Sequence, residues 1–438
     1  FLNQNMKKRI SGWGRNTASD ANISFPKNLK ELKKEIKKNC IARGLGRSYG
    51  DSSIQPKKTI VTTKLNNIIN FNEKTGILES ECGVSIKQLN QFTINKGWFL
   101  PVTPGSKNIT LGGMIAANVH GKNHHKVGSF GKYVISFKIL DNKNRLISCS
   151  KTKNNKLFKY TIGGMGLTGV IFSSKIKLKK IFSDVIYEEK IKCDNLKETL
   201  ANINKSKNWE YNVSWIDTSS SNKEIGRSIV SRGHFQKTKK KDIFNYSTKE
   251  IFTLPNIFPF SLMNRFMIKI LNTLYFNLSR TGKNLTSIDN FFYPLDKIKN
   301  WNNVYGKKGF ISYQCSVPYK NAYKSIFEIL MTMKKYKAYS FVSVLKSMKK
   351  KDFPLSFGQN GFTLVFDFPN YKDIAMILNK VNDIVLKYNG KIYLAKDSII
   401  SKKKFKDLNS EFYNREFTKL RKKNNYFFNS LQSKRLGL

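Results

Sequence analysis

The chain has 438 residues, with 79 Lys or Arg against 29 Asp or Glu and a formal charge of +50. A hydrophobic content of 40% excludes a disordered polymer, and no uninterrupted apolar run approaches the roughly 18 residues of a membrane span. The charge favours an anionic partner, whether phosphorylated substrate, anionic membrane or nucleic acid, although lysines spread along the whole chain also fit a biased composition.

Leu29, Leu32 and Ile36 recur at helical spacing and predict a helix over 27–38. A strand at Cys40–Arg43 follows, then strands at 60–63 and 77–82. Ser85 is placed to cap a helix reaching Lys96, with Ile86, Leu89 and Phe92 on its apolar face. Residues 133–140 and 145–150 read as a hairpin, and 169–180 as a further strand. The first 180 residues are therefore expected to form a mixed α+β domain with glycine-rich loops at strand ends. Beyond about residue 181 longer strands (341–345, 362–368) and amphipathic helices (320–337, 371–388) alternate. The stretch 251–280 is apolar and aromatic but broken by Arg265 and Lys269. It reads either as a buried helix pair or as an interfacial segment over a lipid-bearing substrate. The last 40 residues read as helical and basic.

Three glycine loops stand out: Arg43–Asp51, residues 101–131 and Gly163–Gly169. Glycine is favoured where backbone turns sharply or approaches something closely, so the three suggest one large cofactor site. The first loop is no Rossmann turn, because Tyr49 stands where G-x-G-x-x-G needs its third glycine. It can still cradle phosphate with backbone N–H groups, helped by Arg43 and Arg47. The second loop holds six glycines and three of the four histidines, His120, His124 and His125. No Cys, Asp or Glu completes a shell around them, so no metal is expected. A polar loop histidine or one beside a redox cofactor remains. Lys396 in YLAKDS is either a solvated strand-end charge or a held site cation. Five scattered cysteines form no CxxC pair, which argues for a reducing compartment and a cytoplasmic location. Basic and aromatic residues do not interleave as an RNA-binding surface would, so no nucleic-acid partner is expected.

The segments IARGLGRSYGD (41–51), PGSKNITLGGMIAANVHGKNHHKVGSFG (104–131) and GGMGLTGVI (163–171) resemble the FAD-binding domain of the vanillyl-alcohol oxidase, PCMH-type flavoproteins. SGWGR (11–15), GRSIVSRG (226–233), FFYPLDKIKNWNNVYG (291–306), PLSF (354–357), DFP (367–369) and YLAKDS (393–398) extend the resemblance, within that family, to members acting on prenylphosphoryl ribose. The resemblance implies a two-domain α+β fold: an FAD domain over 1–180, a mixed-sheet substrate domain over 181–389, and a segment 390–438 returning to the FAD domain. It implies non-covalent FAD, with the pyrophosphate along Ala42, Arg43, Gly44, Leu45, Gly46, Arg47, Ser48 and Tyr49 and along Thr110, Leu111, Gly112 and Gly113. Gly105, Ala117, Asn118, His120, Ile171 and Tyr393 would line the cofactor. Lys396, Tyr49 and His120 would stand at the reaction centre, and Lys122, Gln314 and Lys346 would bind substrate. Val365 stands where one well-studied relative carries a cysteine, so covalent capture by nitroaromatic inhibitors is not expected.

The implied reaction oxidises the 2-hydroxyl of a prenyl-phosphate sugar to a ketone. An NAD(P)H-dependent short-chain reductase would be the partner, with peripheral contact at the inner face of the membrane. A soluble alditol or aldonolactone oxidase on the same fold is the alternative enzyme. A basic membrane- or nucleic-acid-binding protein without activity is the non-enzymatic one.

Overall fold

In the computed structural model, residues 6–237, 244–248 and 250–438 are described. Met6–Ser11 and Ala18–Ser24 form an antiparallel hairpin absent from the sequence reading. Met6–Ser11 is exposed along most of its length, so it lacks the apolar alternation that marks a half-buried strand. Ala18–Ser24 and Cys40–Arg43 flank Lys58–Val61 in parallel, which makes a four-stranded mixed sheet. Lys58–Val61 lies two residues earlier than expected and stops at Val61, because 62–64 coil into a helical turn. The first helix is Leu29–Glu35, capped by the Asn28 side chain and anchored by fully buried Leu32. It ends early because Ile36 is already extended.

The second sheet is antiparallel, in the order Ile68–Asn72, Ile77–Glu81, Val170–Lys177, Val134–Leu140, Leu146–Ser150. The expected hairpin forms its far edge. Ser85 caps Ile86–Thr93 through a reciprocal bond with Gln88, and Ile86 and Leu89 are buried as their spacing predicts.

The third sheet has eight strands: Gly282–Ser287, Val185–Cys193, Ser228–Phe235, Tyr211–Ile216, Ser343–Met348, Gly361–Pro369, Phe310–Pro318 and Lys391–Ile392. Every pairing in it is antiparallel, which corrects the expected mixed sheet. Helices Ala322–Lys335 and Ile374–Lys387 pack against it, and Tyr313 donates to Asn382 on the second of them at 2.8 Å. Residues 251–280 form no helix pair. A two-residue strand, Phe252–Thr253, leads through irregular chain to the single helix Arg265–Leu278.

After its edge strand the C-terminal segment returns to the first sheet. Asn429 N–H donates to Cys40 O at 3.1 Å and Leu431 N–H to Ile54 O at 2.8 Å. One continuous apolar cluster takes in side chains from all three sheets and the C-terminal helices. Among the described residues no helix is long and apolar enough to cross a membrane, and all five cysteines are free and buried.

Candidate active site

The site is built first by strand alternation. In the third sheet Ser312 lies opposite Asp367, Gln314 opposite Val365, and Lys346 opposite Thr363. Residues directly opposite share a face, and every second residue repeats it. Ser312, Gln314, Lys346, Thr363, Val365 and Asp367 therefore stand together on one face. Cys315 and Leu364 point to the other, so Cys315 cannot fill the role of the thiol missing at Val365. All six site-face residues are at least nine-tenths buried. Gln314 and Lys346 were expected here. Ser312, Thr363 and Asp367 were not, although polar residues at even spacing in the apolar strands ISYQCS and FTLVFDF, Ser312 two before Gln314 and Thr363 four before Asp367, were a usable signal.

The C-terminal segment brings Lys396 to this face. Tyr393 N–H donates to Gln314 O at 3.0 Å, and the chain then turns through 394–396. Lys396 Nζ donates to Ser312 Oγ at 3.2 Å and lies 4.1 Å from the centre of the Tyr49 ring. Ser312 Oγ donates in turn to Asp367 Oδ1 through a short bond, while Asp367 Oδ2 has no partner. Burial lowers the Lys396 ammonium from its ordinary value, and Asp367 opposes this. Burial raises the Asp367 carboxyl, opposed by Lys396 and Ser312. Tyr49 is held protonated, mainly by burial and next by the Asp367 charge. The Lys346 side chain makes no hydrogen bond or ion pair among the described residues. Burial, with the charges of Lys396 and Lys122, pushes it down to about 7.

His120 reaches the same face from the second glycine loop. Gln314 Nε2 donates to His120 Nε2 at 3.0 Å and to Thr363 Oγ1 at 2.9 Å. Burial, then Lys346, His124 and Lys396, hold the imidazole well below its ordinary value. The ring is therefore neutral. Its Nε2 accepts, so its hydrogen sits on Nδ1, which is buried without a partner. His124 and His125 turn elsewhere, to Ser129 Oγ and Trp209 O. Among the described residues no group of three or more His, Cys, Asp or Glu is placed to hold a metal.

The three glycine loops meet around the short helix Leu111–Ala116. A Cβ on Gly44 would lie 2.1 Å from Thr110 Oγ1, so the first loop seats directly on the second. Gly163 and Met165 of the third loop donate to Ile115 O and Ala116 O at 3.1 and 2.9 Å. Tyr49 N–H donates to Ala395 O, and Tyr393 OH to Ala117 O at 3.0 Å. Asn118 fixes the bend that follows, accepting from Gly131 N–H at 2.9 Å. The loops, the sheet face and the C-terminal segment thus enclose one place.

Residues 24–150 match the FAD binding domain family. Partial matches reach a D-lactate dehydrogenase of Anaerostipes hadrus, 27% identical over 35% of this chain and 33% of that protein. They also reach the Δ24-sterol reductase of Rattus norvegicus, 26% identical over 28% and 24%. The decaprenylphosphoryl-β-D-ribose oxidase of Mycolicibacterium smegmatis matches far more, 31% identical over 410 residues and 89% of each chain. The chain belongs to that oxidase's family. It is an FAD-binding oxidoreductase.

The residues present fit the cofactor of this oxidase family. The N–H groups of Leu45, Gly46, Arg47 and Ser48 have no acceptor among the described residues, and Gly46 takes a left-handed φ of 66°. Four successive free amides around such a residue form an anion cradle of the kind a pyrophosphate requires. Arg47 lies 3.7 Å from the Trp13 ring centre, with its Nε buried and unpartnered. Arg43 braces the loop by donating to Ser11 O at 2.7 Å.

The second expected phosphate stretch differs. Leu111 and Gly112 N–H already bond Val84 O and Cys82 O at 2.8 Å, and Gly113 N–H is capped by Thr110 Oγ1. Leu111 itself is core. This stretch supports the first loop and does not offer those amides to an anion. Gly105 is exposed, with nothing within 4 Å of where a Cβ would stand. Ile171 is buried in the second sheet. Lys122 is turned to Phe291, bonding its carbonyl and lying 4.2 Å from its ring centre, and burial pushes its ammonium down to about 8.

Proposed function

We propose that the chain oxidises the 2-hydroxyl of a polyprenylphosphoryl ribose to a 2-keto sugar, the first half of a 2′-epimerisation. The product would pass to a separate NAD(P)H-dependent short-chain reductase. In this division 1–180 and 390–438 hold FAD and 181–389 hold the substrate. Bound FAD supplies the hydride acceptor that the oxidation of a secondary alcohol carbon needs.

One observation carries the proposal: a buried lysine, lowered by desolvation, is linked through Ser312 to an aspartate on the same sheet face. A neutral Lys396 Nζ can take the hydroxyl proton as C2 loses its hydride and the C=O bond forms. The resulting ammonium is then stabilised by Asp367 through Ser312, in a site too dry to screen the pair. Tyr49, protonated beneath Lys396, can donate a hydrogen bond but cannot compete for the proton. Neutral His120 offers Nδ1–H, and Gln314 holds its ring in that tautomer. Lys346, buried and without a partner, is suited to an anionic headgroup.

Anaerobic mixing tests this. Prenylphosphoryl ribose should bleach the oxidised flavin band, with free ribitol and xylitol inert at equal concentration. Equal bleaching by the free alditols would replace the proposal with a soluble sugar-alcohol oxidase.

A further inference from the structure

The helix Arg265–Leu278 is apolar on two opposite sides. Ile268, Asn272 and Phe276 recur every fourth residue and are buried against the body of the protein. Phe266, Ile270, Leu274 and Leu278 recur in the same way, two positions out of phase. At about 100° per residue the second row lies some 200° around the helix from the first. Surface helices carry polar residues there, whereas Phe266 is 73% exposed and Leu278 74%. The chain leading into the helix adds Ile257 and Phe260, 67% and 68% exposed. A contiguous apolar face of this kind marks an interaction surface.

Its surroundings specify the occupant. Residues 251–287 contain no Asp or Glu, while Lys269, Arg280 and Lys283 are exposed among the apolar side chains. The fourth cation, Arg265, is held by Asp373 at 2.9 Å. A second copy would bring the same cations, and a further +50, against this face. Apolar side chains interspersed with lysine and arginine, without carboxylates, suit the boundary between anionic headgroups and acyl chains.

The face is also firmly seated. Leu262 N–H donates to Val304 O at 2.9 Å, Lys307 N–H to Phe258 O at 3.2 Å, and Phe260 O leaves no room for a Cβ on Gly306. Next to Gly306, Tyr305 stacks on Phe310 at 4.5 Å, and Phe310 meets Tyr49 edge-on at 5.6 Å. The chain leading into the helix is therefore anchored beside the aromatic residues that reach Tyr49, and the helix itself is held by Asn272, which donates to Asp217 Oδ1 at 2.9 Å.

We infer that residues 257–278 form a peripheral docking face for an anionic lipid bilayer, laying the helix in the membrane surface. This stands apart from the proposed reaction, and its test uses no substrate. FAD-loaded full-length protein is sedimented with vesicles of phosphatidylcholine alone and of phosphatidylcholine mixed with phosphatidylglycerol. The protein should bind the mixed vesicles and release from them at high salt. The combined variant Phe260→Ser, Phe266→Ser, Leu274→Ser and Leu278→Ser should retain FAD yet bind about tenfold or more weakly. Lys269→Glu with Lys283→Glu should weaken binding to the mixed vesicles only. Absence of binding by the wild-type chain, or unchanged binding by the serine variant, overturns the inference. A concentration-dependent dimer in sedimentation velocity, abolished by the serine variant, overturns it as well and assigns the face to a second copy.

Discussion

Lys396→Met is the sharpest test of the site. It removes a nitrogen 3.2 Å from Ser312 Oγ and 4.1 Å from the Tyr49 ring centre. An unbranched methionine keeps most of the volume. Loss of a positioned proton acceptor costs about 10²–10⁴-fold in rate, or about 3–5 kcal/mol of barrier. Folding should suffer less. Without the cation, only the Ser312 bond still opposes burial at Asp367, so its carboxyl moves further up. A carboxyl that protonates more readily leaves less unpaired buried charge in the variant. Anaerobic stopped-flow reduction by prenylphosphoryl ribose reads the rate, and the flavin-to-protein ratio reads integrity. The pH profile supplies a second measure. Only neutral Lys396 accepts a proton, so the wild-type rate should rise as pH climbs through its lowered value, while the variant should be flat. Asp367→Asn should move the wild-type midpoint downward, because Asp367 is what holds the Lys396 ammonium up. A Lys396→Met rate within about threefold of wild type, with the same pH profile, would refute the assignment.

Lys346, at about 7, should attract a phosphate below that pH and lose the attraction above it. Substrate affinity should fall by up to about tenfold per pH unit above neutrality, and Lys346→Met should flatten the dependence in a flavin-perturbation titration. Gly44→Ala should push the first loop off Thr110, since its Cβ would stand 2.1 Å from Oγ1. Overpacking of this kind costs about 1–3 kcal/mol, so FAD affinity should drop about tenfold or more, and Thr110→Ala should restore part of it. Acid precipitation should leave a yellow supernatant, the mark of non-covalent FAD. A yellow pellet would indicate attachment to His120 or another side chain.

The readable parts of this fold were those where one face is wet and the other dry. The capped helix at Ser85, the hairpin at 134–150 and the helices Ala322–Lys335 and Ile374–Lys387 all carry a clear period. Met6–Ser11 carries none because it lies exposed at a sheet edge. Residues 251–280 were ambiguous in another way. Apolar character fitted either a buried helix pair or an interfacial segment; a single helix forms, and six of its nine apolar side chains are exposed. In the site, glycine and histidine motifs marked the loops, and Lys396 and Gln314 followed from resemblance. Ser312 and Asp367 escaped because a buried hydroxyl or carboxylate in a strand looks the same whether it bonds its neighbour or serves chemistry. Only the cross-strand register joins them to Lys396.

Arg435 holds Asp51 at 2.8 Å and Asp397 at 2.9 Å, and so clamps Tyr49 and Lys396, one or two residues away, side by side. The first of those bonds spans 384 positions of sequence. Loop closure over such a length precedes any reward from the contact, so local hairpins and helices form well before the two strands of the clamp meet. The centre is thus a late event in folding, and the bonds of residues 429–435 are suited to be the first to open. On heating, FAD should leave in one step and the sheets melt in another, with a flavin-free but still structured chain between them.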